Sequence, residues 1–246
     1  MGEKYSDPPL IEAVCAFRLP PESKWDLTIP GLMYPKLTKN YPGKEQRPVS
    51  EVELKQTEAG IVQNISTSER VFFHAENRNA FVQLGPNLLS VHCLKPYPTW
   101  QSFQPRIDEA FKALTETVAI SALERVGLRY INRIEIPSLE VDLDHYFDFR
   151  PYLGERLPQA MVTFLLGCEL PMGEGKDCCR VQLSRAVASE EGSSAFMLDV
   201  DYFAIAPRSV VVDQALDWVE KAHAQVESVF EGCITDASRE IFRRLA

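Results

Sequence analysis

The chain has 246 residues, of which 45% are hydrophobic and 25% charged, with 26 lysines and arginines against 35 aspartates and glutamates. That composition is globular and excludes disorder of the whole chain. A net charge of −9 argues against a protein that coats nucleic acid, because phosphate binding needs clustered basic side chains.

No apolar run reaches the roughly 20 residues that span a bilayer. The residues after Met1 lack the apolar core of a signal peptide. Gly2 and Ser6 match a myristoylation pattern only weakly. A cytoplasmic protein that does not enter membranes is therefore expected. The six cysteines show no C-x-x-C spacing, which points to free thiols. On a strand the adjacent Cys178 and Cys179 point to opposite faces, which argues against a shared metal site.

In chain order, Ile11, Ala13, Cys15 and Phe17 alternate with Glu12, Val14, Ala16 and Arg18. Period-two alternation of this kind predicts a first strand. Residues 20–48 are proline-rich and read as a packed excursion with a short helix near 31–39. Apolar runs follow at 52–57, 61–66, 71–76, 80–84 and 88–94. Turn signals between them, Ser68-Glu69 among others, predict an antiparallel meander.

Within residues 96–118, Trp100, Phe103, Ile107, Ala110, Phe111 and Leu114 recur at the helical period, with Thr99 as an N-cap. Pro105 marks the first turn or kinks that helix. Residues 119–137 predict a long central strand. Its faces are Leu128, Tyr130, Asn132, Ile134 and Ile136 on one side, and Arg129, Ile131, Arg133 and Glu135 on the other. After a short helix or loop at 138–157, strands are predicted at 159–170, 178–188 and 195–205. A long helix runs from about 209 to 231, ended or bent by Gly232. Thr235 and Asp236 cap a last helix that holds Ile241 and Leu245.

The fold class expected is α+β: antiparallel sheets, each backed by an amphipathic helix, in two similar halves at 1–118 and 119–246. The likeness of the halves fits an internal duplication, and it equally fits two helix-backed sheets without common descent.

Little reactive chemistry is legible. Asp142, Asp144, His145 and Asp148 lack the glycine and closing glutamate of a calcium loop and read as a solvated or capping segment. Gly173-Glu174-Gly175-Lys176 lacks Walker spacing and reads as a hairpin turn. His74, His92, His145 and His223 each stand alone in their local patterns, which points to structural histidines. No catalytic residue, metal site or cofactor is predicted. Exposed, Arg129 and Arg133 would grip phosphate or carboxylate; otherwise Glu124, Glu135, Asp199 and Asp201 offer them ion pairs across the sheet.

The opening P-P-L-I-E-A-V, the central V-G-L-R-Y-I-N-R-I and the closing A-H-x-x-V-E-x-V-F-E-G-C-I-T resemble a sporadically distributed bacterial family of similar length without an established activity. An accessory protein of type III-E CRISPR loci, where an RNA-guided protease acts beside a sigma-factor-like regulator, is similar to that family. The resemblance implies a non-enzymatic interaction or regulatory protein in a defence pathway and supplies no catalytic residues. Trp25 and Tyr34, in the proline-rich excursion, are the candidate contacts to a protein partner. The alternative is a small-ligand or phosphate-handling enzyme with a pocket between the halves, lined by Arg129 and Arg133.

Overall fold

The computed structural model describes residues 4–57 and 60–244, with side chains for all of these except 51–57 and 60–64. Residues 58–59, between the apolar runs expected at 52–57 and 61–66, and the helix residue Leu245 lie outside the described residues. The first half runs β1 (Leu10–Arg18), α1 (Ile29–Leu37), β2 (Gly43–Thr57), β3 (Gly60–His74), β4 (Ala80–Gly85), β5 (Leu88–Leu94) and α2 (Trp100–Thr115). The second runs β6 (Arg125–Ile136), α3 (Leu143–Tyr146), β7 (Leu165–Met172), β8 (Asp177–Ala186), β9 (Ser194–Ala204), α4 (Ala215–Cys233) and α5 (Asp236–Ile241).

The fold is a mixed α and β architecture dominated by one large antiparallel sheet. The sequence predicts separate sheets; instead the strands join in the order β2-β3-β4-β5-β1-β6-β9-β8-β7. The join is the antiparallel pair of β1 and β6, whose register sets Ala16 beside Gly127 and Val14 beside Arg129. Two strands remote in sequence thus make the middle of the sheet.

Strand alternation then sorts the residues. Ala13, Cys15 and Phe17 of β1, and Leu128, Tyr130 and Ile134 of β6, are buried on one face. Across that face α2 contributes Phe103, Ile107 and Leu114, and α4 contributes Val219, Ala222 and Val226, to a single core. Burying each such leucine, isoleucine or phenylalanine contributes about 1.5–3 kcal/mol, which is why the amphipathic stripes fix the helix positions. The opposite face holds the charged members of the alternation: Glu12, Arg18, Arg125, Arg129, Asp199 and Asp201.

Several local expectations are corrected. The runs at 61–66 and 71–76 are one strand, β3, and Ser68-Glu69 pairs with Val49 and Pro48 of β2 rather than turning. The central strand begins at Arg125, six residues later than its apolar pattern. Thr99 occupies the N-cap of α2 with extended backbone, but its hydroxyl donates to Ser102 Oγ at 3.2 Å instead of capping a backbone N–H. Pro105 lies inside α2, and α4 continues through Gly232 to Cys233. Among the described residues no helix is long and apolar enough to cross a membrane.

Candidate functional site

The open face has a hollow at its centre. Ala16 of β1 stands beside Gly127 of β6 on one side and Ser90 of β5 on the other, in one row across three strands. Three small residues in a row leave a depression of about 300 Å³. Arg18 and Arg125, themselves register partners, close one end. Arg129, Asp201 and His92 stand around the other side, with Val14, Val49 and Leu88 as apolar wall. A Cβ on Gly127 would meet Phe203 Cβ and the Tyr202 carbonyl at 3.5 Å, ordinary contacts, so glycine here keeps the hollow open rather than relieving a clash.

The charges are organised in a register row. Glu169, Arg180, Asp201, Arg129, Val14 and His92 follow one another across six strands. Arg129 Nε donates to Asp199 Oδ1 at 2.8 Å, and its Nη2 donates to Asp199 Oδ2. Those bonds to Asp199 raise the guanidinium pKa further. Arg125 Nη2 donates to Asp201 Oδ2 at 3.1 Å, and its guanidinium lies 4.0 Å over the Phe203 ring. Burial pushes the Asp201 carboxyl up, and the charges of Arg125 and Arg129 work against that rise.

Beside the arginines lies a second set. His92 Nδ1 is 2.7 Å from Glu12 Oε1, and its Nε2 is 2.9 Å from Ser90 Oγ. The ring stacks on Phe81 with centroids 4.2 Å apart and planes 13° apart. Ser90 and His92 line the hollow, while Glu12 stands on β1 one open-face position beyond Val14, the partner of His92. Sequence reasoning missed this set because each member looks isolated in its own strand. The only signal was the S-x-H pair on one face of a strand, which means nothing until a carboxylate is placed beside it.

The predicted site residues are dispersed. Arg129 is at the hollow. Arg133 is on the same strand face but lines a separate depression of about 560 Å³ with Asp7, Lys95 and Phe242. There its guanidinium is occupied by Glu135 Oε1 at 2.6 Å, the Val187 carbonyl at 2.6 Å and Ser189 Oγ at 2.9 Å. Trp25 and Tyr34 both pack partly buried against the core. Tyr34 rests on Phe73 at 5.2 Å and donates its hydroxyl to the Pro42 carbonyl at 2.9 Å.

His223 meets a carboxylate too, on the helix face. Its ring stacks on Trp100 at 4.0 Å, Tyr130 Oη lies 2.9 Å from Nδ1, and Glu227 lies 3.4 Å from Nε2. Burial lowers its pKa to about 4. Trp100 Nε1 donates to Glu220 at 2.9 Å, so the cluster clamps α2 to α4. Among the described residues no group of three or more histidine, cysteine, aspartate or glutamate side chains gathers to hold a metal ion. Asp142 caps α3, and Asp144 pairs with Arg150.

No protein-family model matches the chain, and no curated protein matches it. Among solved structures it is similar to the di-domain ARO/CYC StfQ from the steffimycin biosynthetic pathway, at 9% identity over 94% of this chain and 98% of that one, with a TM-score of 0.18. A likeness of that size carries no argument about function.

Proposed function

We propose that the protein binds a small anion, a carboxylate or phosphate, in the hollow over β1 and β6. The observation that carries this reading is charge placement. Three arginines and one aspartate surround the floor of a small hollow in a chain whose net charge is −9. Arg129 spends Nε and Nη2 on Asp199, and Arg125 spends Nη2 on Asp201, so both forks are held in place, and among the described residues Nη1 of each makes no hydrogen bond. The test is calorimetric titration of the whole protein with succinate and with inorganic phosphate. Saturable binding that weakens at least about tenfold in Arg129→Ala, a loss of 1.4 kcal/mol, is expected. Absence of binding by either anion overturns the reading.

A second reading, a protein-binding accessory role in a defence pathway, has its own support. Edge strand β7 is mostly exposed, with Leu165 at 71%, and Val162 just before it is 92% exposed. An unpaired apolar edge is a template for strand addition by a partner. The defence assignment rests on the sequence resemblance alone. A stoichiometric partner recovered from the native cells and lost on Leu165→Glu supports this reading; recovery of none counts against it.

The strand order also supports an internal duplication. Outward from the β1·β6 pair, each half lays down its last strand and then its earlier strands in reverse: β5, β4, β3 on one side and β9, β8, β7 on the other. Separately expressed residues 1–118 and 119–246 should then reassociate through β1 and β6. Failure of both halves to form any soluble complex argues against it.

A further inference from the structure

We propose that Ser90, His92 and Glu12 form a nucleophilic relay, and that the protein hydrolyses carboxylic esters or thioesters whose acyl part bears a second carboxylate. The proposal rests on the anion-binding reading of the hollow, since the arginines there would hold that carboxylate.

The direction of the relay follows from hydrogen-bond bookkeeping. An ionised Glu12 can only accept, so the proton of neutral His92 sits on Nδ1, facing Glu12 Oε1 at 2.7 Å. Nε2 is then left with a lone pair, and Ser90 donates its hydroxyl to it at 2.9 Å. That is the nucleophile, base and orienting-carboxylate order of the known serine hydrolase triads, recognised by geometry rather than by sequence position. The Phe81 stack holds the ring plane. Purely structural serines and histidines on an open sheet need no shared hollow. Here both line one, beside Arg18, Arg125 and Arg129.

The step balances without a further reactant. Ser90 Oγ bonds to the ester carbonyl carbon as its proton passes to His92 Nε2. The carbon–oxygen or carbon–sulfur bond breaks, and the leaving alcohol or thiol takes that proton. Water, deprotonated in turn by Nε2, then attacks the acyl-serine, releases the acid and restores Ser90. Backbone N–H groups in this row belong to the sheet ladder. The transient oxyanion must therefore be met by a side chain, and Arg125 and Arg129 are the rim cations for it.

The experiment uses the full chain with two chromogenic probes, p-nitrophenyl acetate and the mono-p-nitrophenyl ester of glutarate, and a fluorophosphonate followed by peptide mass spectrometry. Expected are turnover that favours the glutarate ester and a phosphonyl adduct on Ser90. Ser90→Ala and His92→Gln should each cost about 10²–10⁴-fold in kcat/KM while succinate binding persists. Arg129→Ala should raise KM for the glutarate ester. Succinate binding with neither turnover nor adduct overturns the relay and leaves the binding reading standing; no binding and no turnover overturns both. Turnover that survives Ser90→Ala also overturns the relay. Should that variant not fold, Ser90→Cys decides: an acyl-enzyme mass on Cys supports the relay, and its absence alongside an unlabelled wild type overturns it.

Discussion

His223 gives a pH dependence that can be worked out from its surroundings. Burial lowers its folded pKa from 6.5 to about 4, so the folded protein resists a proton that the unfolded chain accepts. Between those values the unfolded state binds more protons, and stability therefore falls as pH falls. The contribution is fully present above 6.5 and is lost as pH drops through 4. A shift of this size corresponds to about 3.4 kcal/mol in full, and about 2.5 kcal/mol of it is gone at pH 4.5. The side chain keeps 12% of its surface exposed, and screening at that edge brings the expected loss at pH 4.5 to about 1.5–2 kcal/mol. The perturbation is His223→Gln, which removes the titration but keeps an amide that can bond Tyr130 Oη. Urea unfolding is followed by tryptophan fluorescence, for which Trp100, stacked on the imidazole, is a local reporter. Wild-type minus variant stability, measured from pH 7.5 to 4.5, should slope through the window. A flat difference would refute the claim that the ring is buried neutral between α2 and α4.

Three other substitutions separate the parts of the fold. Gly127→Val fits the strand, since its Cβ meets only ordinary contacts, and should leave stability unchanged or raise it by up to about 1 kcal/mol, while anion affinity falls at least about tenfold as the methyls fill the hollow. Arg133→Ala should cost about 1–2 kcal/mol in denaturant melts, through its lost bonds to Glu135, Val187 and Ser189, and leave anion affinity as it was. Asp177→Ala removes the acceptor of both Tyr202 Oη, at 2.9 Å, and Trp218 Nε1, at 3.1 Å, and should cost about 2–4 kcal/mol by the same melts.

How much of this was legible in the residues depended on how local each feature is. The faces of β1 and β6 could be read because Ala13, Cys15 and Phe17 alternate with Glu12, Val14, Ala16 and Arg18, and Leu128, Tyr130 and Ile134 with Arg129, Ile131 and Arg133, within a few positions. The stripes of α2 and α4 were legible for the same reason at the helical period. Ser68 and Glu69 misled because β3 is mostly polar there, and polarity within a strand looks like a turn. The merging of the strands into one sheet was not legible, since the β1·β6 pairing joins residues more than a hundred positions apart and leaves no local pattern. The same holds for the candidate site. Gly127, Ala16 and Ser90 become a floor, and Glu12 becomes the partner of His92, only through the register of three strands. Arg129 was read from its exposed face. Arg133 was grouped with it because both share that face, and what separates them is the loop carrying Val187 and Ser189.

The central claim, that an anion sits on the sheet between the arginines, is tested most directly by following backbone amide resonances of the isotopically labelled protein during a succinate titration. Saturating shifts at Ala16, Ser90, Gly127 and Arg129, on three adjacent strands, with α2 and α4 silent, are the predicted result. Shifts confined to the neighbourhood of Arg133, or none at concentrations that saturate calorimetry, would contradict it.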